Sequence, residues 1–210
     1  MKRIIPTTFK VFSLTLLAGS VANAAPITGP GGQIISATTA TTLINSAGGC
    51  TGPGAAGCLI DGIFNSSAGT FVEWVNLSPP QVETFTFTFN QPYDVTRFLL
   101  WNDRGFADSG IANFDLVFKD PGGIPIGLPY SNTALANRGN NPAPEVFGVG
   151  LYANVKSVDL RVINTYDPPP NGVTQVREVE FDGIPVPEPA SMALIGLGGL
   201  PLLWRGRKNG

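Results

Sequence analysis

Apolar and polar positions alternate through the middle of the chain. Phe85, Phe87 and Phe89 interleave with Thr84, Thr86 and Thr88, which predicts a strand with one apolar and one hydroxyl-bearing face. Phe114, Leu116 and Phe118 repeat the pattern around Asp115 and Val117, as do Val158, Leu160 and Val162 around Asp159 and Arg161. Val179 and Phe181 alternate with Glu178 and Glu180. Residues 33–37, 71–77, 95–101 and 146–149 supply further strand candidates. Turn clusters stand between them: Gly48-Gly49, Ser78-Pro79-Pro80, Asn90-Gln91-Pro92, Asp120-Pro121-Gly122-Gly123, 137–144 and 167–172. No long segment carries a 3.6-residue period, and no repeat of solenoid length is present. About eight short strands joined by Pro/Gly turns predict an all-β fold, an antiparallel β-sandwich with jelly-roll wiring. Residues 27–32 read as a short leader into it.

Both ends of the chain break this pattern. Lys2, Arg3 and Lys10 flank the apolar residues 11–18, and Ala22-Asn23-Ala24 follows. That order is a secretory signal peptide with a short apolar helix, cut before Ala25. At the other end Pro187-Glu188-Pro189 precedes the apolar residues 190–204 and then Arg205, Arg207 and Lys208. As a helix, 190–204 spans about 22 Å, short of the ~30 Å hydrocarbon core. Gly196, Gly198, Gly199 and Pro201 weaken it further as a permanent membrane helix. The basic cluster fits retention on the cytoplasmic side of a membrane. The segment therefore reads as a sorting device to be recognised and processed, with an uncut tail anchor as the alternative. The chain divides into a signal peptide (1–24), a body (25–184) and a C-terminal sorting and anchor segment (185–210), and either way the body is exported.

Val186-Pro187-Glu188-Pro189, the Gly/Leu-rich helix and the Arg205-to-Lys208 terminus together resemble the PEP-CTERM sorting signal of Gram-negative bacteria that secrete exopolysaccharide. The resemblance implies transient anchoring in the inner membrane, processing by an exosortase (a membrane cysteine protease acting near the motif) and delivery to the cell surface or extracellular matrix.

With the ends set aside, the charge balance changes character. All fifteen carboxylates lie between Asp61 and Glu188, whereas six of the thirteen basic residues belong to the two targeting ends. Residues 25–189 keep seven basic side chains and carry a net charge of −8. Without a basic stripe, nucleic acid is excluded as a partner. An acidic polysaccharide would be repelled unless a divalent cation mediated, so neutral glycans, protein surfaces or calcium suit this body better. Cys50 and Cys58 lie in a Gly/Ala/Pro-rich stretch and, in an exported protein, read as a local disulfide worth about 2–3 kcal/mol. A metal pair would need further soft ligands, and the chain has no histidine to provide them. The same lack removes a Ser-His-Asp or Cys-His base. Glu178 and Glu180 share one strand face about 6.5–7 Å apart but flank no evident cleft. A glycoside hydrolase is the weakest reading, and no enzyme is expected.

In the body, Leu59-Ile60-Asp61-Gly62 precedes Asn65 and Trp74, residues 98–103 read Phe-Leu-Leu-Trp-Asn-Asp, and the close is Val176-Arg177-Glu178-Val179-Glu180-Phe181-Asp182-Gly183. This series resembles the discoidin, or factor 5/8 type C, group of galactose-binding-like β-sandwiches over about residues 33–183. Members of that group often carry disulfides between their ends, whereas the cysteine pair here is local. The resemblance implies a structural calcium ion held by Asp61, Asn65, Ser66 and Glu178. The donor types suit it, because Ca²⁺ takes six to eight hard oxygen ligands. Without the ion, Asp61 caps its own turn and Glu178 faces water or pairs with a neighbouring Arg. The resemblance also implies sugar recognition, by an aromatic ring on the apolar sugar face with polar groups on its hydroxyls. Trp101, Asn102, Asp103 and Arg104 at a strand end, together with Tyr166, are the candidates, and Tyr130 with Asn132 offers a further set. Against this, Trp74 and Trp101 sit in strand-like runs, where such rings are more often buried in the core. The expected role is binding of surface glycan or exopolysaccharide in a biofilm matrix. The alternative is a structural or adhesive surface protein with protein partners.

Overall fold

A computed structural model of the chain describes residues 23–29, 32–39, 57–60, 74–76, 83–102, 110–135, 143–166 and 174–187. Among these, the strands are β1 (Ala25–Ile27), β2 (Ile34–Thr39), β3 (Trp74–Asn76), β4 (Thr84–Asn102), β5 (Ile111–Lys119), β6 (Tyr130–Thr133), β7 (Glu145–Thr165) and β8 (Thr174–Pro185). A single 3-10 turn, Gly57–Ile60, accompanies them. Every pairing is antiparallel, in the order β1-β8-β4-β7-β5-β6, with β2 also on β4 and β3 also on β8.

Two layers arise because β4 and β7 each belong to both. Residues 84–89 of β4 pair with β2 on one side and with residues 157–161 of β7 on the other; β5 and then β6 extend that layer. Residues 93–102 of β4 pair with residues 145–155 of β7 and, on the other side, with β8, whose far edge carries β1 and β3. The predicted antiparallel β-sandwich is therefore present, with two pairs of candidates each fused into one long strand. Candidates 84–89 and 95–101 are one strand, and so are 146–149 and 158–162. The Asn90-Gln91-Pro92 cluster turns a corner instead of ending a strand. Pro92 removes one ladder donor without leaving extended backbone, and the β4–β7 register slips between Thr88 and Tyr93, again before Val95 and again before Arg97. On β7 the matching corner uses positive φ at Gly150 (81°) and Asn154 (60°).

Two short strands escape the sequence pattern. Part of the expected leader is β1, which sets Ile27 opposite Phe181. Tyr130–Thr133, absent from the strand candidates, is the edge strand β6. Of the 71–77 candidate, Trp74–Asn76 is strand. The signal helix and the C-terminal apolar helix lie outside the described residues. Among the described residues, no helix is long and apolar enough to cross a membrane.

Aromatic rings join the layers. Phe181 of β8 receives Phe87 and Phe89 edge-on, with centroids 5.8 and 5.4 Å away. Phe114 of β5 meets Phe98 at 5.4 Å and Phe147 at 5.0 Å. Such edge and tilted contacts add about 0.5–1.5 kcal/mol each beyond area burial. On the outward side of the Phe/Thr strand, Thr86 Oγ1 donates to Asp159 Oδ1 at 2.9 Å, and Lys119 Nζ lies 2.6 Å from Asp159 Oδ2.

This wiring gives the sandwich two unlike ends. At the fold-over end β4 and β7 cross between layers, and Pro185 lies opposite Tyr93. At the loop end, β4, β5, β6, β7 and β8 present Thr84, Asn102, Ile111, Thr133, Glu145, Thr165 and Thr174.

Candidate ligand-binding end

The loop end is held together by side chains that behave as backbone. Asn102, the last residue of β4, accepts from the Ile111 N–H at 2.8 Å and donates back to the Ile111 carbonyl at 2.8 Å. The same amide nitrogen reaches the Leu135 carbonyl at 3.3 Å. A Cβ at Gly110 would lie 2.7 Å from Asn102 Oδ1, so the close approach that lets the amide bridge β4 and β5 requires glycine. Gly110 in turn accepts from the Tyr166 N–H at 3.1 Å, and the Tyr166 hydroxyl donates to the Ala134 carbonyl. The Ala134 N–H returns to the Ala112 carbonyl at 2.8 Å, and Glu145 Oε2 accepts from the Leu135 N–H at 2.8 Å. The ends of β4, β5, β6 and β7 are thus tied into one hydrogen-bonded floor. From this floor depart residues 103–109, 136–142 and 167–173.

Sequence reasoning placed Trp101, Asn102, Asp103, Arg104 and Tyr166 in a ligand site. The structure brings Asn102 and Tyr166 to the same end, joined through Gly110 and Ala134. Asn102 is buried, and its amide is already committed to backbone. Tyr166 is half-buried, with its hydroxyl engaged. Asp103 and Arg104 follow Asn102 directly but lie outside the described residues. So do Asp61, Asn65, Ser66 and Cys50; Cys58 contributes backbone to the 3-10 turn, and the expected disulfide is not among the described features. In the sorting segment Pro187 is described and exposed, while Glu188, Pro189, Arg205, Arg207 and Lys208 lie outside. Tyr130 and Asn132 sit on edge strand β6, where the Asn132 amide donates to the Tyr130 hydroxyl.

Trp101 pairs in register with Glu178. Their neighbours Leu100 and Val179 belong to the core, so Trp101 and Glu178 face the other way, yet both are buried. Glu180 and Asp182 continue that outward face of β8, and Asp182 Oδ2 lies 2.6 Å from Arg97 Nη2. The Glu180 carboxyl is held above its ordinary value, first by burial and then by the charge on Asp182. Of the expected calcium donors only Glu178 is described, as a fully buried carboxylate. The set as a whole, two carboxylates with an amide or backbone oxygen from Asn65 or Ser66, consists of the hard oxygens that Ca²⁺ prefers. Among the described residues no three His, Cys, Asp or Glu side chains gather to hold an ion.

Gly110, Ala134, Leu135 and Glu145 escaped the sequence reading. A glycine directly before an apolar strand was the available sign for Gly110. Glu145 carried none, because its partner is a backbone amide brought close by the fold.

Residues 185–208 match the model of the PEP-CTERM protein-sorting motif, so the chain carries that motif at its C-terminus. The motif implies export and cell-surface sorting. The body is similar to the F5/8 type C domain of a Bacteroides fragilis protein, with 12% identity over 72% of this chain and 92% of that one, and a TM-score of 0.52. It is similar to a CBM32 module from Clostridium perfringens in complex with GalNAc-β-1,3-galactose (14% identity, 75% and 99% coverage, TM-score 0.50). It is also similar to a fucose-binding module from Streptococcus pneumoniae (13% identity, 70% and 91% coverage, TM-score 0.51). At these identities the likeness is one of fold: an all-β antiparallel sandwich resembling those domains. No curated protein sequence matches the chain.

Proposed function

We propose that the chain is an exported, non-catalytic glycan-binding protein, its jelly-roll body delivered to the cell surface or matrix by the C-terminal motif. The observation that supports this reading is the hydrogen-bonded floor at the loop end. It brings Asn102 and Tyr166 to one end, joined through Gly110 and Ala134. In this reading Asn102 anchors the site, and Trp101, Asp103, Arg104 and Tyr166 supply the ring and polar contacts. Asp61, Asn65, Ser66 and Glu178 would hold a structural calcium ion, whose chemistry is to fix loops by gathering oxygen donors. A net charge of −8 over residues 25–189 favours neutral sugars of the exopolysaccharide matrix.

A glycan array and a polysaccharide pull-down, each with calcium and with chelator, test the reading. Retention on neutral galactose- or fucose-bearing glycans is the expected outcome; no retention under either condition overturns it. A chelator-induced fall in Tm would support the ion. A second reading, an adhesive surface protein with protein partners, draws on the exposed Leu135 and Val146 at the loop end. It predicts protein-dependent retention with no effect of competing sugar.

A further inference from the structure

The two membrane-directed segments of this chain leave the sandwich at the same end. Ala25, the first residue after the expected signal-peptide cut, lies opposite Gly183, and Pro185 lies opposite Tyr93. The Val186 N–H donates to the Pro92 carbonyl at 3.0 Å, so the chain is pinned to the fold-over corner until the residue before the sorting tripeptide. Only Pro187, Glu188 and Pro189 then precede the apolar stretch that begins at Ala190. Three residues reach about 10 Å at full extension. While that stretch is in a bilayer, the fold-over end is held within about 10 Å of the lipid surface.

That end exposes large aliphatic side chains. The β5–β6 connection carries Ile124 and Leu128, 64% and 84% exposed, and the β7 corner carries Leu151 at 69%. Leaving such aliphatic side chains in water forgoes the gain of burying them, about 1.5–3 kcal/mol for a whole side chain. The connection is a braced platform. Asp120 Oδ1 accepts from the Gly122 and Ile124 N–H groups at 2.9 Å each, and the Gly123 N–H donates to the Asp120 carbonyl at 2.9 Å. Tyr152 ties the platform to the β7 corner: its hydroxyl donates to the Leu128 carbonyl at 2.9 Å, and its ring stacks on Phe118 at 3.9 Å. Positive φ at Gly123 and Gly127 lets the chain double back, leaving Leu128 exposed.

We infer that the fold-over end is a lipid-docking surface, with Ile124, Leu128 and Leu151 entering the interfacial layer of a phospholipid bilayer while the C-terminal segment is inserted. Aliphatic side chains on a fixed platform lie at the boundary of headgroup and acyl chain, as an interfacial amphipathic helix does. The consequence is an orientation. The loop end, with Asn102 and Tyr166, points away from the membrane for as long as the anchor persists. This rests on the exit points of the chain and is independent of any glycan the loop end binds.

The test uses the full chain in nanodiscs of phosphatidylethanolamine and phosphatidylglycerol, with methyl-labelled Ile, Leu and Val. A fraction of the lipids carries a gadolinium chelate on the headgroup. The methyl signals of Ile124, Leu128 and Leu151 should lose most of their intensity, while those of Leu135 and Val146 at the loop end keep theirs. In the double variant Leu128→Asp/Leu151→Asp, broadening at Ile124 should fall at least twofold with the far-UV circular dichroism unchanged. Uniform broadening, or broadening strongest at Leu135 and Val146, would overturn the inference. So would a double variant that folds and broadens as the parent does. Failure of the glycan array would leave this result untouched.

Discussion

Glu180 stands two residues before Asp182 on the outward face of β8, and among the described residues only Asp182 of the two has a cation, Arg97, at 2.6 Å. Burial first, and the Asp182 charge second, hold the Glu180 carboxyl above its ordinary value of 4.5. The folded state therefore binds the Glu180 proton more tightly than the unfolded state does. Its contribution to stability is fully present below the ordinary carboxylate range and is lost as pH rises through the raised folded value. Glu180→Gln fixes the uncharged form. The variant should melt at a higher temperature than the parent at pH 7, with the difference shrinking towards zero as pH falls below 4.5. Paired thermal melts across pH 3.5–8 check the sign, because acid effects at other carboxylates cancel in the difference. A difference that widens on acidification would contradict it.

Asn102 gives a second prediction. Its amide satisfies both the N–H and the carbonyl of Ile111. Asn102→Leu would leave two buried backbone groups without these partners, at a cost of about 1–3 kcal/mol each. Asn102→Asp keeps the acceptor and loses the donor, so it should fall between the two. Denaturant melts should rank the parent above Asp and Asp above Leu. The Ile111 amide should exchange with deuterium faster in Asn102→Leu, which removes its acceptor, and stay closer to the parent in Asn102→Asp, which keeps it.

How far this was legible in the sequence depends on what held each element. The Phe85-Phe87-Phe89 alternation is readable because a strand with one buried face must repeat every second residue. The continuity of β4 is not readable, since Asn90-Gln91-Pro92 signals a chain reversal and a corner between layers uses the same residues. Strand β6 is hidden for another reason: Tyr130, Ser131, Asn132 and Thr133 lie on an edge and are largely exposed, so no buried face imposes a period. At the loop end, Trp101-Asn102 stood out as chemistry at a strand terminus. The partners of Asn102 did not, because a backbone amide carries no mark of what the fold will set beside it.

The aromatic seam between the layers supplies a third prediction. The Phe181 ring is fully buried and touches Phe87, Phe89 and Phe98. Phe181→Ala should cost about 3–5 kcal/mol, by lost transfer energy plus an unfilled cavity. For a domain of this size, that lowers Tm by roughly 10 °C. Phe181→Leu should recover most of the loss, since volume is largely restored at about 1–2 kcal/mol. Calorimetry on the three proteins reads the ranking directly. Equal losses for Ala and Leu would mean that ring-to-ring geometry, and not volume, closes the seam.

Tyr166 allows the architectural and ligand-binding roles of the loop end to be separated. Its hydroxyl is engaged with the Ala134 carbonyl and its N–H with the Gly110 carbonyl, so the ring is held at a fixed place beside the start of 167–173. Tyr166→Phe removes one hydrogen bond and should cost about 1 kcal/mol of stability. If the ring is the sugar platform, the same variant leaves affinity within about twofold, because the π-face is intact. Tyr166→Ala removes the platform and should weaken binding by tenfold or more, a loss of about 1.4 kcal/mol. Isothermal titration with the best ligand from the array, run beside thermal melts, gives both numbers for each variant. Affinity that tracks stability across the two variants would assign Tyr166 to the floor alone. Affinity lost only in Tyr166→Ala assigns the ring to the ligand, since both variants lose the hydroxyl bond and they differ only in the aromatic face.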